Sequence, residues 1–280
     1  MFTHKTIGVL GAGNMGEALL RGLLRASLIA PERLIASSLE EDRLRELQGE
    51  LGIRVTGDNG QLVRDADIVI VCTKPHTVIA LLSSLRGEFG PTKTLVSIAA
   101  GVSLAALGKA LDQPMPLVRV MPNTPSLIGE GVSAFCLGGT ADDSHARVAE
   151  RLLGALGHVH RVEENQMDAI TAVSGSGPAY LFYLLEALHG AADSLGLPQA
   201  LGRDLVNQTI LGSLLLAEAS EQSPADLRRG VTSPGGTTEA ALRVLEDAGF
   251  EDLFGRALAA ARDRSLELSH VTPDEDSGAS

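Results

Sequence analysis

From residue 5 to about residue 162, short aliphatic runs alternate with amphipathic stretches. TIGVL precedes GNMGEALLRGLLRAS, RLIAS precedes EEDRLRELQGE, and IRV precedes the short NGQLVRD. DIVIVC is likewise followed by HTVIALLSSLRGEF, and TLVSIA by SLAALGKAL. Brief aliphatic runs read as buried strands, and apolar positions recurring every three or four residues read as helices. Strands and helices in this alternation predict βαβ units, giving a parallel sheet with helices on both faces. PLVRVM, GVSAFCL and HVHRV predict three further strands that extend the sheet, the last two separated by the helix DDSHARVAERLLGAL.

After residue 163 the strand signals stop. ENQMDAITAVS, PAYLFYLLEALHGAADSLG, PQALGRDLVNQTILGSLLLAEAS, PADLRRG, TTEAALRVLEDAG and FEDLFGRALAAARDRSLELS read as successive helices. AYLFYLLEAL and TILGSLLLA are apolar around much of their circumference. Such helices must be buried, and a domain this small cannot cover them alone, so dimerisation through it is expected. The fold class is therefore α/β, a doubly wound sheet in residues 1–163 followed by an all-helical part in 164–280. No Pro/Gly/Ser-rich spacer separates the two, and the polar tail VTPDEDSGAS, 271–280, is expected to be disordered.

Composition narrows the chemistry. Trp is absent and aromatics make up 3% of the chain, so the core must come from Leu, Val, Ile and Ala. A net charge of −12 without a basic cluster argues against nucleic acid. Cys72 and Cys136 stand alone, which fits free thiols in a reducing compartment. His158 and His160 share a strand face with no third ligand near in sequence, so no metal is expected. The first apolar run starts by residue 6 and reaches glycine by residue 11, unlike a signal peptide, and no window suits a membrane span. A soluble, cytoplasmic protein is expected. All four lysines, Lys5, Lys74, Lys93 and Lys109, lie in the first part, leaving the helical part without an amine side chain.

Gly11, Gly13 and Gly16 in GAGNMG follow a predicted strand and open a helix, the setting in which a G-x-G-x-x-G run binds a dinucleotide. The first glycine permits the tight turn, the second lets a pyrophosphate approach and the third lets helix and strand pack. The second strand ends in Ser37-Ser38-Leu39-Glu40, where the adenine ribose belongs. Glu40 would accept from ribose hydroxyls, whereas Ser37 and Ser38 could donate to a 2′-phosphate, so NADH and NADPH both stay open; Glu40 reads equally well as a solvated helix start. Lys74, held extended before Pro75 at the end of the fourth strand, is posed to reach ribose or phosphate. Ala99-Ala100-Gly101 is small enough for a nicotinamide ring to lie against. Asn123, between prolines in MPNTP, reads as a polar site residue or as a plain turn.

Ser174 to Tyr180, SGSGPAY, fails as a hydrolase elbow because Ser174 replaces the first glycine of G-x-S-x-G. It reads instead as a helix interrupted for close approach and restarted with Pro178 in its first turn. VTSPGGTTEA, residues 231–240, carries more hydroxyls and bare backbone N–H groups than a helix cap requires, and reads as an anion-binding helix start.

GAGNMG, TKPH, RVMPNTP, SGSGPAYLF and GVTSPGGTTEA, in this order from residue 5 to about 268, resemble the pyrroline-5-carboxylate reductases. The resemblance implies a Rossmann domain, a helical dimerisation domain and reduction of 1-pyrroline-5-carboxylate to L-proline with NADPH or NADH. It places cofactor contacts on Ala12, Asn14, Met15, Ser38, Glu40, Asn59, Thr73, Lys74, Ala99 and Ala100. The substrate loop falls on Ser233 to Thr238, with Glu164 and Glu221 nearby. Ser233 and the backbone from Gly236 through Thr237 would hold the carboxylate, and Thr238 would meet the ring nitrogen as the catalytic group. This loop must then face the nicotinamide end of the cofactor, from its own or a partner subunit. A homodimer at least is implied, and a ring of dimers by further resemblance. Gly230 departs from the Asn that some relatives carry there, so any cofactor contact made by that side chain is missing. A lysine-dependent hydroxyacid dehydrogenase is excluded by the lysine-free helical part. A reductase of a related cyclic imine acid and a dinucleotide-binding regulator without turnover are the competing readings.

Overall fold

A computed structural model describes residue 2 and residues 4–270; the tail expectation for 271–280 lies outside these. By packing the chain forms two units, one holding the chain up to Ser176 and again from Ala260, the other Gly177–Ala259.

The first unit is built on an eight-stranded sheet of β1 (Ile7–Leu10), β2 (Leu34–Ser37), β3 (Arg54–Thr56), β4 (Ile68–Val71), β5 (Thr94–Ser97), β6 (Pro116–Met121), β7 (Gly131–Gly139) and β8 (Gly157–Arg161). Their spatial order is β3-β2-β1-β4-β5-β6-β7-β8. The strands through β6 pair in parallel, each reached through a crossover, and this is the dinucleotide-binding order with its switch point between β1 and β4. β7 reverses and pairs antiparallel with β6, Met121 opposite Ala134, and β8 is parallel to β7. The reversal has a local cause. Between β6 and β7 the chain makes only a 3₁₀ stretch, Thr124–Ile128, closed by Gly129 at φ +85°, and a parallel return needs a longer crossover.

Strand residues alternate between the two faces, as the unbroken aliphatic runs require. Ile7, Val9, Ile68 and Ile70 face one core, with Leu19, Leu20 and Leu23 of α1 (Asn14–Arg25) and Leu152 and Leu153 of α6 (Asp143–Leu153). Leu10, Val69, Val71 and Leu95 face the other, with residues of α3 (Asn59–Asp65), α4 (Pro75–Leu85) and α5 (Leu104–Leu111). α2 (Glu41–Leu51) adds Leu47 to the first core. After β8 come α7 (Met167–Ile170) and a π-helical turn, Thr171–Gly175, which realises the expected interruption. A side chain at Gly175 would overlap the Met121 methyl.

The second unit holds α8 (Gly177–Ser194), α9 (Gln199–Ala219), α10 (Pro224–Gly230), α11 (Thr237–Asp247) and the start of α12 (Phe250–His270). Ala192 of α8 and Gly202 of α9 are buried against each other, but Leu181, Phe182 and Leu215 are 55%, 62% and 55% exposed in the single chain. Among the described residues no helix is long and apolar enough to cross a membrane.

Candidate active site

In the first unit the loop Gly11–Gly13 joins β1 to α1 at the switch point. The N–H groups of Gly11 and Ala12 donate to the Ser37 carbonyl at 3.2 and 3.0 Å, pinning the loop to the end of β2. Gly11 has φ +93°, and a Cβ there would lie 2.9 Å from the Thr73 methyl. A Cβ on Gly16 would collide with the Gly11 carbonyl, whereas one on Gly13 would meet nothing within 4 Å. The loop is thus closed on its protein side and open at Gly13. Gly13 caps α1 without a side-chain bond, so the first N–H groups of α1, from Asn14 through Gly16, remain for an anion. The hydroxyls of Ser37 and Thr73 are buried without a partner among the described residues. An open cradle, an uncapped helix and orphaned hydroxyls at the strand ends fit a bound dinucleotide.

The remaining cofactor candidates surround the same sheet edge. Lys74 is extended (φ −60°, ψ 141°) ahead of Pro75, and its ammonium has no ion pair among the described residues. Asn59 opens α3 behind the cap Asp58. Ala99 is buried and Ala100 half-buried after β5, beside Gly101, whose φ of +73° brings its backbone against Leu268 of α12. Ser38 accepts the Glu40 N–H at 3.1 Å, and Glu40 is exposed. Asn123 serves the turn: its Oδ1 accepts the Val132 N–H at 2.9 Å.

Two features escaped the sequence. Arg43 of α2 donates to the Ala12 carbonyl at 3.3 Å and pairs with Glu17 of α1 and Glu46, so it braces the glycine loop from outside. Arg119, only 4% exposed on β6, pairs with Glu164 at 3.1 Å and stands 3.9 Å from Asp168. Glu164 also accepts the Leu104 N–H at 2.7 Å, and Asp168 accepts the Ser265 hydroxyl of α12 at 2.6 Å. The structure thus places Glu164 in a largely buried ionic cluster at the α5 start. Burial pushes the Cys72 and Cys136 thiols up to about 12, which removes both as nucleophiles near neutral pH.

In the second unit Ser233-Pro234-Gly235-Gly236 forms a tight turn into α11. The Ser233 carbonyl accepts the Gly236 N–H at 3.0 Å and Gly235 has φ +71°, the type II geometry that Pro followed by Gly favours. Glu239 accepts the Gly235 N–H at 2.8 Å and so locks the turn. Gly236 caps α11 without a side-chain bond, leaving the Thr237 and Thr238 N–H groups without intrahelical acceptors. A Cβ on Gly236 would lie 2.5 Å from the Ser233 hydroxyl, so glycine is what lets that hydroxyl sit beside the helix start. Thr238 is half-buried and Ser233 exposed, while Thr232 spends its hydroxyl on the Arg228 carbonyl at 2.7 Å. Glu221 is exposed in the turn between α9 and α10, without an ion pair among the described residues.

A family model described as pyrroline-5-carboxylate reductase dimerisation matches residues 164–268, and one described as NADP oxidoreductase, coenzyme F420-dependent, matches residues 6–101. A pyrroline-5-carboxylate reductase of Corynebacterium melassecola is 41% identical over 266 residues, 94% of this chain and 98% of its own. A solved pyrroline-5-carboxylate reductase from Coxiella burnetii aligns with a TM-score of 0.87 at 38% identity, covering 95% of this chain and 99% of its own. The Plasmodium falciparum pyrroline carboxylate reductase, solved with NADP bound, aligns with a TM-score of 0.88 at 30% identity, covering 95% and 98%.

Proposed function

The chain belongs to the pyrroline-5-carboxylate reductase family, and from that membership we propose how its own residues carry the reaction. The reaction is the NAD(P)H-dependent reduction of the C=N carbon of 1-pyrroline-5-carboxylate to L-proline, and the helical part makes the protein a homodimer. When bound, the reduced nicotinamide supplies the hydride.

The cradle of Gly11, Ala12, Gly13, Asn14, Met15 and Gly16 would hold the cofactor, with the free N–H groups of α1 available to its pyrophosphate. Ser38 and Glu40 would contact the adenine ribose, and Asn59, Thr73, Lys74, Pro75, Ala99 and Ala100 would contribute the remaining contacts. The substrate carboxylate sits at the start of α11, held by the Ser233 hydroxyl and the bare N–H groups following Gly236. Thr238 hydrogen-bonds the ring nitrogen and fixes the direction in which C5 presents itself. A protonated imine already accepts hydride, so the protein has no need of a strong general acid, in keeping with a second part that lacks lysine. Orientation alone is worth several kcal/mol of the barrier. Glu221 is a weaker candidate for the nitrogen's positive charge. The substrate role considered for Glu164 must compete with its bonds to Arg119 and Leu104. The division at residues 163 and 164 and a cytoplasmic location belong to the same reading.

The observation that carries this reading is the Ser233–Thr238 turn, locked by Glu239 and opening on an uncapped helix. Replacing Thr238→Ala removes one hydrogen bond to a charged nitrogen, about 1.5–3 kcal/mol, and is expected to lower kcat/KM roughly tenfold to a hundredfold while the Kd for the dinucleotide stays unchanged. An unaltered kcat/KM removes Thr238 from the mechanism.

A further inference from the structure

The turn that follows β2 is where a dinucleotide's adenine ribose lies in a sheet of this order, and it decides whether a 2′-phosphate is welcome. Here the turn is Ser38-Leu39-Glu40, and what it offers a phosphate is poor. Leu39 is 96% exposed and its side chain brings no donor. The Ser38 hydroxyl accepts the Glu40 N–H and keeps one proton to donate, a neutral donor without a charge to set against a phosphate. Glu40 is the N-cap residue of α2, its carboxylate makes no capping bond, and Glu41 and Asp42 follow in the first turn of the helix. These carboxylates offset the attraction that a helix start otherwise exerts on an anion.

A 2′-phosphate needs a cation free to pair with it, and both guanidiniums of this segment are engaged. Arg45 pairs with Glu41 at 3.2 Å and with Asp42 at 3.4 Å. Arg43, its side chain 20% exposed, holds Glu17 and Glu46 as well as the Ala12 carbonyl. Turning Arg43 toward a phosphate would break its bonds to α1 and release the loop that binds the pyrophosphate.

We propose that this chain prefers NADH to NADPH, with Glu40 accepting from the ribose hydroxyls and Arg43 acting as a positioning residue for the glycine loop. The inference rests on the reading of Gly11–Gly16 as the dinucleotide cradle. An unphosphorylated ribose leaves the Arg43 brace intact and gives Glu40 two hydroxyl donors. A 2′-phosphate instead meets Glu40, Glu41 and Asp42, and among the described residues of this turn and α2 both cations, Arg43 and Arg45, are already paired.

Titration of the full-length protein with each reduced dinucleotide, without substrate and followed by nicotinamide fluorescence, reads this directly. The Kd for NADH is expected to be at least about tenfold below that for NADPH. Glu40→Gln, at an exposed position that makes no capping bond, narrows the ratio by tightening NADPH. Arg43→Ala weakens both dinucleotides by the same factor. Binding of NADPH as tight as that of NADH, or an Arg43→Ala loss confined to NADPH, overturns the proposal. Failure of both dinucleotides to bind removes the cradle reading itself, and is told apart from a wrong preference because no reaction is needed to see it.

Discussion

Arg119 sets a full positive charge inside a β-strand, and its burial makes its partners obligatory. Removing a partner from a buried pair strands the other charge, which commonly costs 3–5 kcal/mol. Glu164 keeps 38% of its side chain exposed, so Arg119→Ala is expected at the lower end, about 3 kcal/mol, read as a lower urea midpoint. Glu164→Gln, which retains an acceptor for the Leu104 N–H, should lose less. Equal midpoints for wild type and Arg119→Ala would show that the cluster contributes nothing to stability. The sequence made Arg119 visible only as a charge within the aliphatic run PLVRVM. Its partner lies 45 positions away, beyond the reach of any periodicity argument. Gly11, Gly13 and Gly16 were legible because strand, turn and helix are contiguous there, and SPGG was legible because proline and glycine dictate their own turn.

At the scale of elements, β1, β2, β4 and β5 were announced by aliphatic runs, since strands buried on both faces tolerate little else, whereas β3 and β8 at the two ends of the sheet are mostly exposed or half-buried and carry the more polar RVT and GHVHR. The direction of β7 was not announced, because direction depends on whether a connection crosses over or folds back, and GVSAFCL looks the same either way. Nor was the tie between α1 and α2. Glu17 and Arg43 sit on helices that meet only after β2 has returned beside β1. Burial raises the Glu17 carboxyl, but the bonds from Arg21 and Arg43 outweigh it and hold it below its ordinary 4.5. A carboxylate lowered in the folded state contributes stability that is present above the unfolded value and is lost as pH falls through the folded one. Wild type is therefore expected to exceed Glu17→Gln in Tm at neutral pH, with the gap closing under acid well below pH 4.5. A gap that stays constant with pH would mean that the difference is not electrostatic.

For the whole molecule, the second unit explains why the chain does not act alone. Phe182, Leu214, Leu215 and Leu216 leave 62%, 56%, 55% and 59% of their surface exposed in one chain, along helices whose apolar residues run around most of their circumference. Surface of this kind is covered by association, which is what residues 164–268, matched by a dimerisation family, provide. A single apolar stripe would have been ambiguous, since one packed neighbour can cover it; helices apolar on nearly all sides made the need for a partner legible in the sequence itself. The reaction proposed for the protein is hydride transfer from a reduced dinucleotide to the imine acid 1-pyrroline-5-carboxylate. The most direct measurement is the loss of nicotinamide absorbance when the protein is given NADH or NADPH together with 1-pyrroline-5-carboxylate, with L-proline quantified in the same samples. The account predicts oxidation matched mole for mole by proline; dinucleotide that binds but is not oxidised in the presence of the substrate would contradict it.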